Sequence, residues 1–432
     1  MSDARRPPVP PVPNAGPFKA SFWRSPLRGP WLASFLSSAL LPLILICAVT
    51  GFLSHAAYDP DLGSNGFFDQ GVDLYFFDWP TNPAWLYAAT QGLHIITGLA
   101  AIPILLAKLW AVIPKLFERP AFRSIAHALD RLVLLTLVGS SIFVLATGVL
   151  NIQIYYPFKF SFVPAHYYGA FIFMAALAFH VATRIATVVR SFRERGVVAP
   201  LRDNLADTKP EPELEGIHTT VPESPAPPTM TRRLLLGTVG AASVGLGVMG
   251  AGQVIGGPFR RLALLAPRGQ SVGDGPNDFQ VNKTFASVGI EEKAVGADWR
   301  LVLRVGDERR ATLTRDDLLE LEQVTETLPI ACVEGWSTTQ SWTGVRIADL
   351  ARLAGAAGAA EVELRSLQER GIFRRATLNS GQIADRRSLL ALKVNGADLS
   401  LDHGFPARAI VPALPGVHNT KWVTEMAFQE RA

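Results

Sequence analysis

Pro329-Ile-Ala-Cys-Val-Glu-Gly-Trp-Ser337 contains Cys332, which alone of the chain's two cysteines stands outside an apolar run. A lone thiol in a polar domain cannot be half of an internal disulfide. Cys332 is therefore either an inert buried residue or a thiolate used in chemistry, and its surroundings must decide. Around it the chain reads as short mixed elements. Residues 299 to 305 alternate like a strand, as do 361 to 366, and residues 314 to 322 read as a short helix opening at an N-cap, with Asp316 and Asp317 in its first turn. Gly and Pro mark turns between 395 and 416. The pattern predicts a compact α+β domain over residues 258–432.

Upstream, the 432-residue chain changes character. Residues 31 to 57, 84 to 113, 131 to 151 and 165 to 189 are apolar runs, each near the ~20 residues that cross a bilayer core as a helix. A weaker fifth run follows Arg233. Basic residues cluster before the first run (Arg5, Arg6, Lys19, Arg24, Arg28), after the second (Lys115, Arg119, Arg123) and after the fourth (Arg184, Arg190, Arg193, Arg195). The loop between the first two carries Asp59, Asp61, Asp69, Asp73 and Asp78 and no base. The positive-inside bias then predicts a multi-pass inner-membrane protein with a cytoplasmic N-terminus and a fifth helix that carries the C-terminal domain to the outside. The net charge of +4 resides in these loops, so membrane lipid is an expected partner and nucleic acid is not.

The expected layout is a disordered N-terminal segment (1–30), a four-helix transmembrane bundle (31–195), a Pro- and Glu-rich flexible linker (196–230), a fifth transmembrane helix (231–257) and the α+β domain (258–432). An exported domain with so few cysteines does not rely on disulfides.

Four histidines fall in the bundle: His55 at the outer end of the first run, His94 in the second, His166 and His180 in the fourth. Ionisable side chains at bilayer depth are costly and mark function by default. The spacing from His166 to His180 turns a helix by about 1400°, within ~40° of whole turns, and rises ~21 Å, so both imidazoles share one side. That arrangement suits two stacked haems with histidine axial ligands. Depth counted from the outer surface groups His55 with His166 and His94 with His180. His127, in the basic loop, and His218, in the linker, read as solvated.

On these residues, 31 to 195 resemble the di-haem cytochrome b subunits of formate dehydrogenases and hydrogenases. The resemblance implies two haem b groups ligated by His55, His94, His166 and His180, also allows His94 to pair with His166, and implies exchange with quinone or quinol. Thr231-Arg-Arg-Leu-Leu-Leu-Gly237 resembles a twin-arginine export signal, which would make the export machinery a partner; an ordinary membrane helix held by its arginines gives the same pattern.

The Cys332 stretch and Trp342-Thr-Gly-Val345, with Asp402-His-Gly-Phe-Pro-Ala-Arg-Ala-Ile-Val-Pro412 and Gly416-Val-His-Asn-Thr-Lys-Trp422 downstream, resemble the molybdenum-binding signatures of the sulfite-oxidase fold. The resemblance implies a Mo-molybdopterin cofactor with Cys332 as metal ligand. His403 and Arg408 would contact the cofactor, Lys421 its phosphate or pterin, and the turn with His418 and Asn419 its phosphate. Asn282 and Ser366 would add further pterin contacts. Nearby cations would favour the thiolate form of Cys332.

Sulfite oxidases follow this cysteine with Gly-Asn-Arg-Arg; here Gly335-Trp-Ser-Thr-Thr stands instead, closer to the Cys-Val-Glu-Ala-Trp-Ser of the periplasmic methionine-sulfoxide reductase subunit. The expected activity is electron transfer from quinol through haem to an outward-facing molybdenum centre that removes oxygen from a sulfoxide or similar small or protein-bound oxidised substrate. Two alternatives stand beside it: a sulfite-like dehydrogenase delivering electrons to quinone, and a membrane-anchored haem protein without molybdenum.

Overall fold

The computed structural model describes residues 16–57, 77–117, 124–212, 221–270 and 272–430. Arg5, Arg6, Asp59, Asp61, Asp69, Asp73, Arg119, Arg123 and His218 lie outside the described residues. The apolar runs fold as α1 (Pro30–Ala56), α2 (Leu86–Val112), α3 (Ile125–Ile152), α4 (Phe162–Arg195) and α5 (Arg232–Ile255). All five are long and apolar enough to cross a membrane by length and composition. His127 lies in the first turn of α3 rather than in a loop. The chain divides into two compact units that cut across these helices: Met1–Leu43, Ala100–Val144 and Gly169–Val244 form the first, and Ile44–Leu99, Leu145–Tyr168 and Gly245–Ala432 the second.

In the first unit a buried charge overrides the linker's flexible composition. Residues 196–212 fold back so that Glu211 accepts the backbone N–H of Trp31 at 2.6 Å and of Leu32 at 3.3 Å, satisfying donors that open α1. A Cβ on Gly29 would lie 2.2 Å from the Glu211 carboxyl carbon, so the carboxylate seats only against glycine. Arg232, wholly buried, stands 3.8 Å from Glu211 and donates to the carbonyls of Pro26 and Lys209. Arg232 thus has a structural use that requires no export machinery. Burial pushes the Glu211 pKa up even against the Trp31 N–H and the Arg232 charge, which is the cost of placing the carboxylate there.

The second unit contains two five-stranded sheets. Strands β1 (Leu301–Val305), β2 (Glu308–Leu313), β3 (Val324–Ala331), β4 (Ser337–Arg346), β5 (Glu361–Ser366), β6 (Arg375–Asn379), β7 (Leu389–Val394), β8 (Ala397–Asp398), β9 (Arg408–Ile410) and β10 (Val423–Gln429) follow in chain order. One sheet runs β2-β1-β10-β5-β6, with β1 and β10 parallel; the other runs β3-β4-β7-β8, with β9 also on β7. The helix expected after residue 314 forms as Arg315–Glu320, closed by a capping box between Thr314 and Asp317.

Alternation on β1 and β5 sends Leu301, Leu303, Val362 and Leu364 into one core, where each such side chain contributes about 1.5–3 kcal/mol. The ends of α1 and α2 join that core through Ala57 and Tyr87, and Trp79 donates its indole N–H to the Ala413 carbonyl at 2.7 Å. Gly344, in the Trp342-Thr-Gly-Val345 stretch, lets β4 approach β7 at a register shift: a Cβ there would lie 2.1 Å from the Leu390 oxygen.

Removing one member of the buried Glu211 cluster strands the others. Glu211→Ala is expected to cost about 3–5 kcal/mol, read as a lowered midpoint of thermal unfolding in detergent, whereas substitution of the exposed Glu223 is expected to leave the midpoint unchanged.

Candidate functional site

Cys332 follows β3 at the head of a tight turn. Its N–H donates to the Trp336 carbonyl at 2.9 Å, and the N–H of Gly335 donates to the Cys332 carbonyl at 3.0 Å. Gly335 has φ +85°, a conformation natural to glycine. The thiol is 2% exposed. Glu334 stands beside it, gripped by Arg268 through two hydrogen bonds of 2.9 and 3.0 Å and by the Trp336 indole N–H at 3.0 Å.

Basic residues converge on the same region from the 402–421 segment. Arg408, on β9, is 3% exposed and donates to the carbonyls of Asn419 and His403 at 3.2 and 3.3 Å; its guanidinium lies over the Trp342 ring. Lys421 donates to the carbonyls of Lys283 and Asp402 at 2.9 and 2.7 Å. Neither forms an ion pair with a carboxylate among the described residues. His403 stacks on Phe279 at 3.7 Å, and its Nε2 faces the Asn277 carbonyl at 2.9 Å. That contact makes Nε2 the donor and leaves Nδ1, buried and without a partner, as an acceptor. Two residues flanking the 414–421 segment, Ala413 (φ 61°) and Trp422 (φ 53°), hold left-handed backbone, a strain that the surrounding packing must sustain.

Burial dominates the electrostatics. It lowers the pKa of Arg408 to about 9, of His403 to about 3 and of His418 to about 4, and pulls Lys421 well below its ordinary value. Neighbouring cations do favour the Cys332 thiolate, since Arg268 and Lys421 both pull its pKa down, but burial outweighs them. Burial and then the Glu334 charge push the thiol up to about 12, against the opposing pull of Arg268 and Lys421. Cations buried without carboxylates, an orphaned imidazole acceptor and a buried thiol are together a donor set suited to a phosphate-bearing, metal-holding group.

Other expected residues take supporting positions. Asn419 accepts the Val411 N–H at 2.7 Å through its side chain, tying the 411–419 loop. His418 is buried with its ring edge against Phe373. Ser366 donates to the Lys421 carbonyl at 2.8 Å and so fixes the lysine's backbone. The Asn282 side chain accepts the N–H of its own neighbour Lys283 at 2.9 Å, and its carbonyl accepts from Arg268 at 2.7 Å. Arg268 escapes sequence reasoning because its partner Glu334 lies 66 positions away. Asn277, whose side chain binds Ser400 N–H and the Asp398 carbonyl, could have been suspected from the Gly-Pro-Asn turn it sits in.

Among the helix histidines, the structure brings His94 and His166 together, ring centroids 5.8 Å apart at 89°. His55 stacks on Tyr167 at 3.6 Å.

Residues 288–432 match the family model of the oxidoreductase molybdopterin binding domain. The uncharacterized oxidoreductase YuiH of Bacillus subtilis is 34% identical over 100 residues, 23% of this chain and 49% of that protein. Human mitochondrial sulfite oxidase is 31% identical over 117 residues, 26% of this chain and 22% of its own length. The sulfite oxidase of Arabidopsis thaliana is 33% identical over 96 residues, 19% and 24% of the two chains. The chain thus spans from about a fifth to a half of the relatives it matches. Its C-terminal part is a molybdopterin-binding oxidoreductase domain of the sulfite-oxidase type, an enzyme domain homologous to sulfite oxidase and nitrate reductase.

Two substitutions separate cofactor binding from folding. Cys332→Ser is expected to abolish molybdenum retention and turnover while the circular dichroism of the chain stays unchanged. Arg408→Met removes a buried cation that lacks an acid, so the cofactor-free chain is expected to gain on the order of 1 kcal/mol or more. The same variant is expected to lose the pterin, measured as pterin released per mole of protein.

Proposed function

We propose that the chain is a membrane-bound molybdopterin-dependent oxidoreductase. It takes electrons from quinol through haem b held by the helix histidines and uses them at an outward-facing site to reduce a sulfoxide or similar oxidised substrate. The observation that carries the haem part is the seating of the His94/His166 pair. His94 Nδ1 lies 2.8 Å from the Cys47 carbonyl, so Nδ1–H donates there and Nε2 is the nitrogen left for a metal. A Cβ on Gly51 would lie 2.6 Å from that ring, and one on Gly148 3.3 Å from the His166 ring, so each imidazole occupies a notch opened by glycine. The Thr147 hydroxyl holds His166 Nδ1 at 3.1 Å. His55 and His180 keep their expected place as haem ligands within this proposal.

The membrane reading is supported by how little of the helices the protein itself covers. Between 11% and 39% of each apolar window is buried, which would leave in water an apolar surface far beyond what soluble proteins tolerate. Outward placement of the C-terminal domain and a cytoplasmic N-terminus follow from the loop charges. Arg232 and Arg233 also keep a role in twin-arginine export within this proposal.

When bound, molybdopterin supplies the two-electron, oxygen-atom chemistry. The chain's part is to bind and orient it: Cys332 to the metal, Arg408 and Lys421 as cations for its phosphate, His403 Nδ1 as an acceptor for a pterin N–H, with Ser366 and Asn419 holding the backbone around them. Trp336 and the Glu334–Arg268 pair shape the ground beside Cys332. Glu334 already neutralises Arg268, so that arginine is not free for an oxyanion, which favours a neutral sulfoxide over sulfite. Similarity to proteins named sulfite oxidase favours the reverse direction as the second reading.

Anaerobic reduction of the purified chain by a quinol analogue, followed by addition of dimethyl sulfoxide or methionine sulfoxide, is expected to reoxidise the haem absorbance. Reoxidation by none of these, together with haem reduction on adding sulfite, would establish the second reading.

A further inference from the structure

The turn that carries Cys332 has a second face, and within the second unit that face rests on α2, α3 and α5. A Cβ on Gly335 would lie 2.9 Å from Ile95 Cδ1 and 3.6 Å from Ile152 Cγ2. Asn151 Nδ2 donates to the Val333 carbonyl at 3.3 Å, and Gln253 Nε2 donates to the Glu334 carbonyl at 3.0 Å. Two of these contacts begin at residues tied to the histidine pair. Ile95 is bonded to His94. Asn151 stands one turn of α3 beyond Thr147, whose hydroxyl touches His166 Nδ1. From Gly335, one hydrogen bond of 3.0 Å reaches the Cys332 carbonyl.

We propose that this turn is an electron bridge internal to the chain. Electrons pass between the His94/His166 pair and Cys332 across the Ile95–Gly335 contact and the Asn151–Val333 hydrogen bond, without a diffusing carrier. This rests on the reading that the pair holds a haem and Cys332 a molybdenum. In each turnover a quinol is oxidised to quinone and yields two electrons and two protons; the bridge carries the electrons singly. The sulfoxide S–O bond breaks, the sulfide leaves with its lone pair restored, and the oxygen departs as water with two protons. Gln253 approaches from α5, which bears no histidine, so it positions the turn without lying on the route.

Full-length protein carrying Ile95→Ala with Asn151→Leu is compared with Gln253→Leu. Two quantities are read: the stopped-flow rate of haem reoxidation after methionine sulfoxide, and hydrogen exchange at the Cys332 and Gly335 amides. The double variant is expected to slow reoxidation on the order of tenfold, with haem absorbance and molybdenum content retained. Gln253→Leu is expected to speed amide exchange yet leave the rate within about twofold of the parent. A parental rate in the double variant, or equal slowing by Gln253→Leu, overturns the bridge and leaves the cofactor reading intact. A parent chain without haem absorbance or molybdenum overturns that reading, and the bridge with it. Should the double variant lose its cofactors, the milder Ile95→Val and Asn151→Ser carry the same comparison.

Discussion

Gly335, at φ +85°, makes the left-handed turn on which the seating of Cys332 depends. The left-handed turn it permits lets the Cys332 N–H return to Trp336, which buries the thiol at the end of β3. The same turn presents the Val333 and Glu334 carbonyls to Asn151 and Gln253. Any residue with a Cβ would strain that backbone conformation, and with it both the burial of the thiol and the contacts that support its turn.

Both units spend stability on buried charge, but in opposite ways. Glu211 and Arg232 answer each other, and their desolvation is offset by backbone donors and acceptors. Arg408 and Lys421 have carbonyls and the faces of Trp342 and Trp422 as partners, and no carboxylate pairs with either among the described residues. A fold optimised for its own stability would replace them; they make sense as half of an interaction whose other half is an anion.

The site was legible in part because a few chemical types stand in fixed order along the chain. Cys332, Arg408 and Lys421 could be singled out by residue type and neighbouring turns, and the helices by apolar length. Tertiary contacts were not legible. Nothing in the 196–212 stretch announces that Glu211 will cap α1, since the partner donors lie about 180 residues away. The approach of His94 to His166 depends on how the helices pack, which apolar run lengths do not encode. The pull of neighbouring cations on Cys332 could be anticipated, whereas the desolvation that outweighs it requires the packed structure.

Strand β10 is the last strand in sequence yet lies in the middle of its sheet, between β1 and β5. Without β10, β1 with β2 and β5 with β6 are two separate hairpins. Lys421 and Trp422 stand just ahead of that strand, so the Lys421 end of the candidate site is ordered by the same non-local pairing that joins the sheet. In folding terms β10 is a seam: whatever loosens it unpicks the sheet and one wall of the site at once.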